Sequence, residues 1–365
     1  MFIAVREIRR SIGRFALLTG AVALLVVLLL FFQAVAGSLT LGLTGGIENN
    51  SAEIIVYSDR ARSNPAASFL PPGTGDAVAA VDGVLAVSEV GRLATDTAGE
   101  DVVVIGLGDP PLGGPAALAD GRRAEAAGEA EVSSSSLSTS FEIGQRVTAA
   151  GVELIVVGTA DDAAFDVSPT FYVPFDDYRA MVARRTGAAD PAAPVSWLAV
   201  RPADGVEPAE LATDIAALPG LDALDRDRAV AALPGVGQIT QSFNILYLLL
   251  FIVVTIVTGV FFLILTVQKQ RSLVLLRAIG AGRRDVVAPV LIQVLAVVGI
   301  GCLLGTAVAA LLLNAARDTF GSALDPRTTS LTVGFLLVLG VLASIGAVRR
   351  VLAIDPIEAT TAGTV

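Results

Sequence analysis

Two pairs of residues in this chain carry side chains that could bind a ligand. Glu48 and Asn49 follow a long apolar run, and their oxygens can ligate a metal or accept hydrogen bonds. Phe243 and Tyr247 are four residues apart at the start of another apolar run, so on a helix their rings share one face. Together the four would give a flat ligand an aromatic wall and an oxygen ligand. The alternative is an ordinary interfacial carboxylate beside the aromatic belt of a membrane protein.

The residue inventory argues against most kinds of enzyme. The chain contains no histidine, which removes the commonest general base and the commonest metal ligand. The serine run 133–136 offers hydroxyl groups without a neighbouring histidine or lysine to activate them. The one cysteine, Cys302, lies inside an apolar run, so no intrachain disulfide can form. We therefore expect no catalytic residue and no metal held by the protein alone.

Four apolar runs are long enough to cross a membrane, since a spanning helix needs about 20 mostly apolar residues. The chain is 54% hydrophobic, with a mean hydropathy of +0.72. The first run also resembles a secretory signal that ends at Ala34-Val35-Ala36, although its length exceeds the usual apolar stretch of about 7–15 residues. The predicted spans are 15–37, 245–267, 286–313 and 331–348.

The charges of the chain are distributed unevenly and predict its topology. Residues 38–235 carry 29 acids and 12 arginines, whereas the remainder carries 13 basic residues and 6 acids. The basic residues lie beside the spans, before the first, between the second and third, and after the fourth. By the positive-inside rule both termini and the loop 268–285 are cytoplasmic, and the acidic block is outside the cell. The basic residues thus report topology and indicate no nucleic-acid partner.

Between the first two spans, β-branched runs alternate with helical patterns, which is typical of an α+β domain. Strands are predicted at 52–58, 101–107, 152–159 and 195–200, helices at 176–185 and 207–218, and a loop at 124–140. Met181 is predicted to lie in the core of this domain. The fold class is therefore a membrane protein with four transmembrane α-helices, arranged 1+3, and a large α+β extracytoplasmic domain between helices 1 and 2. The predicted segments are 1–14 cytoplasmic, 15–45 helix 1, 46–238 external domain, 239–267 helix 2, 268–285 cytoplasmic coupling loop, 286–314 helix 3, 315–329 external loop, 330–348 helix 4 and 349–365 cytoplasmic tail.

The third span carries Gly301 and Gly305 at the spacing that lets two helices approach closely. They could pack against another helix of the same chain or against a second copy. Because four helices are few to enclose a pathway, we expect a homodimer.

The basic loop between the second and third spans is amphipathic. On a helix, Leu273, Leu276 and Ile279 fall on one face, and Lys269, Arg271 and Arg277 fall largely elsewhere. Such a helix could lie among anionic lipid head groups. It could equally present leucine and arginine to a groove on a cytoplasmic partner.

A resemblance favours the second alternative. Residues 273–287, LVLLRAIGAGRRDVV, resemble the cytoplasmic signature of the MacB/FtsX-like permease family, the transmembrane subunits of type VII ABC systems. Residues 349–359, RRVLAIDPIEA, resemble the ending of that family, and AVREIRRSIGRFALL resembles its opening. IGQRVTAAGVELIVVG at 143–158 and FYVPFDDYRAM at 171–181 resemble parts of its external domain.

The resemblance implies a permease subunit in an ATP-driven exporter that works by mechanotransmission. Two copies would work with two cytoplasmic ABC ATPase subunits in the bacterial plasma membrane, among its lipids. The chain has no Gly-Lys-Ser/Thr sequence, so ATP would be bound and hydrolysed by the partner. The residues carried over to ATPase coupling are Arg271, Leu276, Arg277, Ala278, Ile279, Gly280 and Ala281.

The segments TVQK and 42–70 resemble the DevC/HrtB-like branch of the family, whose HrtB-like members export haem. Haem is therefore the expected substrate, with no intrinsic cofactor, and Glu48, Asn49, Phe243 and Tyr247 are the expected haem-binding residues. The alternatives are export of another amphipathic cargo, such as a lipid, a peptide or an antibiotic, and non-transporting signalling to an external partner.

Overall fold

The computed structural model describes residues 12–97, 99–134, 141–187, 193–268, 283–315 and 326–352. It divides into two compact units, one formed by the described residues up to Val35 and from Ser242 onward, and the other by the described residues of Ala36–Gln241. In chain order the elements are α1 (Ile12–Glu48), β1 (Ile54–Ser58), α2 (Thr74–Ala79), β2 (Val84–Thr97), β3 (Glu100–Leu107), β4 (Asp120–Gly121), β5 (Glu129–Ser133), β6 (Arg146–Ala149), β7 (Val152–Ala160), β8 (Thr170–Pro174), α3 (Phe175–Thr186), β9 (Trp197–Pro202), α4 (Pro208–Ala216), β10 (Leu221–Asp225), α5 (Arg226–Ala232), α6 (Val236–Gln268), α7 (Arg283–Ala315) and α8 (Pro326–Leu352).

Four of the described helices, α1, α6, α7 and α8, are long and apolar enough to cross a membrane. With 37 residues at about 1.5 Å each, α1 is about 55 Å long. The hydrocarbon core of a bilayer is only about 30 Å thick, so α1 is longer than one span requires. The predicted fold class, one span followed by a large domain and three further spans, is confirmed.

Glycines in α7 let it approach α1 closely. A Cβ added to Gly305 would lie 2.7 Å from the carbonyl oxygen of Ala23 and 2.7 Å from Cβ of Val26. A Cβ at Gly301 would lie 2.8 Å from Cγ1 of Val22. Both glycines therefore allow close packing against another helix of the same chain, which is one of the two alternatives that the sequence left open.

The large unit is built on one mixed sheet of ten strands. Its order is β10-β1-β9-β2-β3-β8-β5-β7-β4, and β6 also pairs with β7. The pairs β3–β8 and β5–β7 are parallel and the other pairs are antiparallel, so the unit is an α+β domain. The helices α3 and α4 bury apolar side chains against this sheet, including Met181, which is fully buried as predicted.

The sequence of α3 explains its position and length. Asp176 and Asp177 occupy its first turn, and Arg184 and Arg185 its last, so both ends carry charges that the helix dipole favours. Gly187 follows with a φ of 69°, the left-handed conformation that commonly ends a helix.

The loop predicted at 124–140 was wrong for part of its length, because β5 lies within it. Small and polar residues suggested a loop, but each polar group on this strand has a partner in the fold. The carboxylate of Glu131 is buried and pairs with Arg123 at 2.8 Å. Residues 135–140 lie outside the described part of the chain.

The sequence analysis also missed β2, the longest strand. Glycine inside a strand lowers its β-propensity, and Gly91 interrupts the apolar pattern there. The structure requires this glycine, since a Cβ at Gly91 would overlap the ring of Tyr178 on α3.

Candidate ligand site between membrane helices

A polar contact joins α1 and α8 inside the membrane unit. Nε2 of Gln33 lies 3.4 Å from Oγ1 of Thr332, a long hydrogen bond between two partly buried side chains. Gln33 is the only glutamine in α1, within a stretch of apolar residues. Polar side chains within a membrane span are costly and usually have a function. This contact is therefore a candidate part of a functional site.

A second contact, at the residue that precedes Gln33 in α1, joins α1 to α6. The hydroxyl of Tyr247 donates a hydrogen bond to the carbonyl oxygen of Phe32, at 3.3 Å. The rings of Tyr247 and Phe243 lie 6.1 Å apart at an angle of 34°. The predicted aromatic pair is thus formed, and its hydroxyl is engaged in helix packing in this conformation.

Further aromatic rings extend this region along α6 and α8. The rings of Phe251 and Phe335 meet edge to face at 4.9 Å. Phe251 lies one turn beyond Tyr247, and Phe335 lies one turn beyond Thr332. We call this set the aromatic–polar cluster; its members are Phe32, Gln33, Phe243, Tyr247, Phe251, Thr332 and Phe335.

The composition of the aromatic–polar cluster suits a flat, amphipathic ligand. Aromatic rings stack against flat apolar surfaces, while the carboxamide and the two hydroxyl groups can meet polar edges. Phe335 is 50% exposed, so one side of the cluster is open on the outer surface of the helices. A ligand dissolved in the lipid could reach it without crossing the helix packing.

The other predicted pair belongs to the large unit. Glu48, at the end of α1, is exposed, and its carboxylate accepts a hydrogen bond from Oγ1 of Thr44 at 3.1 Å. Nδ2 of Asn49 donates to the carbonyl oxygen of Asp162 at 2.6 Å. Asn49 therefore stabilises the chain path after α1 in this structure, while Glu48 is free to meet solvent.

Glu48 also contributes to the electrostatics of the neighbouring loop. Partial burial raises the pKa of Asp162 above its ordinary value, and the negative charges of Asp161 and Glu48 raise it further. Three carboxylates thus surround the last turn of α1, where the helix dipole already disfavours negative charge. Nevertheless, the described residues include no group of three or more metal-ligating side chains arranged to hold a metal ion.

The seven residues predicted to couple to an ATPase, from Arg271 to Ala281, lie outside the described residues. Their role stays a prediction from the sequence.

The sequence analysis missed Gln33, Thr332, Phe251 and Phe335. A signal for Gln33 was present, because a carboxamide within an apolar run stands out by its cost in a membrane. The other three gave no such signal. A threonine or phenylalanine in a span is ordinary until its neighbour on another helix is known.

The fold and the site define a class: a membrane protein with one span, a large α+β domain and three further spans. Two family descriptions match in that order. The MacB-like periplasmic core domain matches residues 15–218, and the FtsX-like permease C-terminal region matches residues 244–356. The first match alone covers more than half of the chain. The chain therefore belongs to the MacB/FtsX-like permease family, and its periplasmic-type domain and spans fit a protein of the plasma membrane.

A curated relative is the "Putative hemin transport system permease protein HrtB" of Staphylococcus haemolyticus (strain JCSC1435). It is 30% identical over 117 residues, which are 32% of this chain and 33% of that protein. The chain thus matches about a third of the length of this relative.

Two solved structures are also similar in part. The periplasmic region of MacB from Actinobacillus actinomycetemcomitans is 11% identical, with a TM-score of 0.35, and the match covers 49% of this chain and 92% of that one. The extracellular domain of the noncanonic ABC-type transporter YknZ from Gram-positive bacteria is 17% identical, with a TM-score of 0.31, over 47% of this chain and 99% of that one.

Proposed function

We propose that this protein is the permease subunit of an ATP-driven ABC exporter that removes haem from the membrane. Membership of the MacB/FtsX-like family supports the permease role. The partial relative named as a hemin transport permease supports the cargo. The observation that carries the proposal is the aromatic–polar cluster, which offers stacking surfaces, a carboxamide and hydroxyl groups on the outer surface of the membrane helices.

Haem fits this cluster by its chemistry. It is flat, largely apolar and partitions into membranes, so it would arrive from the lipid at the exposed side of Phe335. Tyrosine oxygen is a known type of haem-iron ligand, and Tyr247 is the tyrosine of the cluster. To ligate iron, its hydroxyl would leave the carbonyl oxygen of Phe32, which makes ligation and the α1–α6 contact mutually exclusive.

The energy would come from a separate polypeptide. The single lysine, Lys269, is preceded by Val267-Gln268 and followed by Gln270, so it is not part of a phosphate-binding loop. Two copies of an ABC ATPase would act on two copies of this chain through the coupling residues between Arg271 and Ala281. ATP-driven closure of the ATPases would then be transmitted mechanically through the helices to the large domain, with both termini in the cytoplasm.

The test is a haemin titration of the purified, full-length protein in nanodiscs, followed by its Soret absorption. Wild-type protein should shift the Soret band relative to empty nanodiscs, and Tyr247→Phe should change its position or weaken binding by about tenfold, the effect of losing about 1.4 kcal/mol. Thr255→Val is the matched control. It removes a hydroxyl group from the same helix, one that donates only to its own helix at Phe251 O, and it should bind as the wild type does.

One result would contradict the proposed cargo, namely a wild-type spectrum identical to that of empty nanodiscs. A second result would contradict the proposed iron ligand: identical titrations of Tyr247→Phe and Thr255→Val would mean that the Tyr247 hydroxyl takes no part in binding haemin.

Signalling to an external partner is the second candidate function, and a surface groove of the large domain favours it. The groove has a volume of about 760 Å³ and is lined in part by Phe69, a residue that is 60% exposed. Contiguous exposed apolar patches often mark protein contacts. A signalling protein would leave haemin resistance unchanged when its gene is deleted. Apolar residues of the groove include Phe69, Pro71, Pro72, Leu218 and Pro219.

A further inference from the structure

The groove that an external partner would use in the signalling alternative also has the size and the lining of a small-ligand site. Its volume of about 760 Å³ lies within the range of about 300–1,000 Å³ that is usual for ligand pockets. Such pockets are mostly apolar and carry a few polar groups that orient the ligand. The charged side chains among the described lining residues are Asp59 and Arg60, and the apolar ones include Phe69, Pro71, Pro72 and Leu221.

The walls of the groove are held by hydrogen bonds to the sheet. The amide of Asp59, which follows β1, donates to the carbonyl oxygen of Gly220, which precedes β10, at 3.0 Å. The amide of Leu70 donates to the carbonyl oxygen of Val195 at 2.9 Å. Proline rings fix the backbone angle φ, and three prolines stiffen the lining: Pro71, Pro72 and Pro219. A ligand would therefore enter a preformed site, and little free energy would be lost in ordering it.

Phe69 faces solvent because its neighbour faces the core. Leu70 forms a β-bridge with Val195 and is only 2% exposed. Successive side chains of an extended chain point to opposite sides, so Phe69 is turned outward. It is the one exposed aromatic residue among the described residues of the large unit. A flat apolar ligand that stacks on this ring would remove its surface from water.

Arg60 provides a positive charge that the protein itself does not use. Its guanidinium has no hydrogen-bond or ion-pair partner among the residues that the structure describes, whereas Arg122 and Arg123 of the same domain each pair with a glutamate. A guanidinium can bind a carboxylate through two parallel hydrogen bonds. The adjacent Asp59 repels a carboxylate, so an anionic ligand has to be bound by Arg60 against this repulsion.

We propose that the groove is a second cargo site, which binds a flat apolar ring that carries carboxylates. The ring lies on Phe69 and one carboxylate pairs with Arg60. This assignment rests on the proposed function, under which the cargo is haem, a flat ring with carboxylate side chains at one edge. The groove receives haem that has left the aromatic–polar cluster and shields part of its apolar surface from water.

The two sites differ in what they can offer to iron. Haem iron is bound by histidine, cysteine, methionine or tyrosine side chains. The chain has no histidine, and the described residues that line the groove include no tyrosine, cysteine or methionine. The groove therefore recognises the ring and its carboxylates, and a metal-free porphyrin should bind there. In the aromatic–polar cluster, by contrast, Tyr247 can act as an iron ligand.

The test uses coproporphyrin, a fluorescent metal-free porphyrin whose carboxylates favour water over the bilayer. The full-length protein in nanodiscs is titrated against it, and binding is followed by the fluorescence anisotropy of the probe, with empty nanodiscs as the blank. The wild type should give a saturable rise in anisotropy that empty nanodiscs do not give.

Charge variants test the role of Arg60. Arg60→Gln should weaken binding about fivefold, the upper end for an exposed ion pair. Arg201→Gln is the matched control, because it removes the same charge from the same domain but does not line the groove, and it should bind as the wild type does. Asp59→Asn should tighten binding about twofold, since it removes the repulsion.

A second pair of variants tests the aromatic wall. Phe69→Ala should weaken binding about fivefold through the loss of stacking. Leu85→Ala is its control: Leu85 is 62% exposed, much as Phe69 is, but lies outside the groove. It should leave binding unchanged. Circular dichroism checks that each variant is folded, and the charge variants decide if Phe69→Ala is not.

The groove site would be refuted by a wild type that gives no rise in anisotropy, or by equal binding of Arg60→Gln and Arg201→Gln. Equal binding of folded Phe69→Ala and Leu85→Ala would also refute it. Its failure can be told apart from that of the export proposal. Coproporphyrin bound at the groove, with no shift of the haemin Soret band in the wild type, would contradict export of haem and leave the groove site standing. A Soret shift that depends on Tyr247, without coproporphyrin binding, would do the reverse.

Discussion

Gly305 provides a quantitative test of how the membrane helices pack. Replacing it with alanine adds one methyl group where α7 meets α1. The new Cβ would lie 2.7 Å from the carbonyl oxygen of Ala23 and 2.7 Å from Cβ of Val26. A backbone carbonyl within a helix cannot rotate away, so the two helices must separate. The same change at Gly301 meets Cγ1 of Val22 at 2.8 Å and the carbonyl oxygen of Thr19 only at 3.2 Å, so its clash with the backbone is milder.

The expected size follows from two opposing terms. Overpacking a close contact costs about 1–3 kcal/mol, while replacing glycine with alanine inside a helix gains about 1 kcal/mol. Gly305→Ala should therefore destabilise the membrane unit by up to about 2 kcal/mol, and Gly301→Ala by less. Gly334→Ala, in α8, is the control. Nothing lies within 4 Å of its added Cβ, so it should be neutral or slightly stabilising.

The single cysteine supplies the assay. Cys302 lies in α7 between the two glycines and is 1% exposed, so a thiol-reactive fluorophore labels it only when the helices separate. Heating the protein in detergent with this fluorophore gives an unfolding midpoint. The midpoints should rise in the order Gly305→Ala, Gly301→Ala, wild type, with Gly334→Ala at or above the wild type. If Gly305→Ala unfolded together with Gly334→Ala, the close approach of α1 and α7 would be wrong.

Three further predictions concern the loop, the cluster and the coupling segment. The pKa of Asp162 is raised in the folded protein. The free energy of unfolding of the wild type should therefore increase as the pH falls through the folded pKa toward the lower pKa of the unfolded chain. Asp162→Asn should be more stable than the wild type at pH 7, and its advantage in the unfolding midpoint, followed by Trp197 fluorescence, should vanish in acid. Gln33→Leu should weaken haemin binding in the Soret titration while the protein still inserts, and unaltered binding would remove Gln33 from the site. Arg277→Glu should reduce ATPase activity coupled to the permease without affecting insertion, and unchanged coupled activity would contradict a docking role.

The number and order of the candidate membrane spans follow from the sequence, because they depend on quantities that are local along the chain. A bilayer requires about 20 apolar residues in succession, and four such runs are present. The large domain between the first two runs could be predicted from its length, its acidic charge and its alternating patterns alone. The family could also be identified from the sequence, because the motifs at both ends and in the basic loop occur in the order that is typical of the family. The binding role of Tyr247 and Phe243 was a prediction from spacing, and it stays one.

Only the tertiary structure decided which distant groups are partners. Gln33 and Thr332 are 299 residues apart, and neither the period nor the composition of their helices relates them. The glycines at 42, 45 and 46 look like poor helix residues until the loop at 161–168 is placed against them. β5 looked like a loop because its polar side chains find their partners elsewhere in the fold. Hydropathy and helix propensity are properties of neighbouring residues, whereas a hydrogen bond between elements depends on the path of the whole chain, and that path is fixed only when the sheet and the helices have packed.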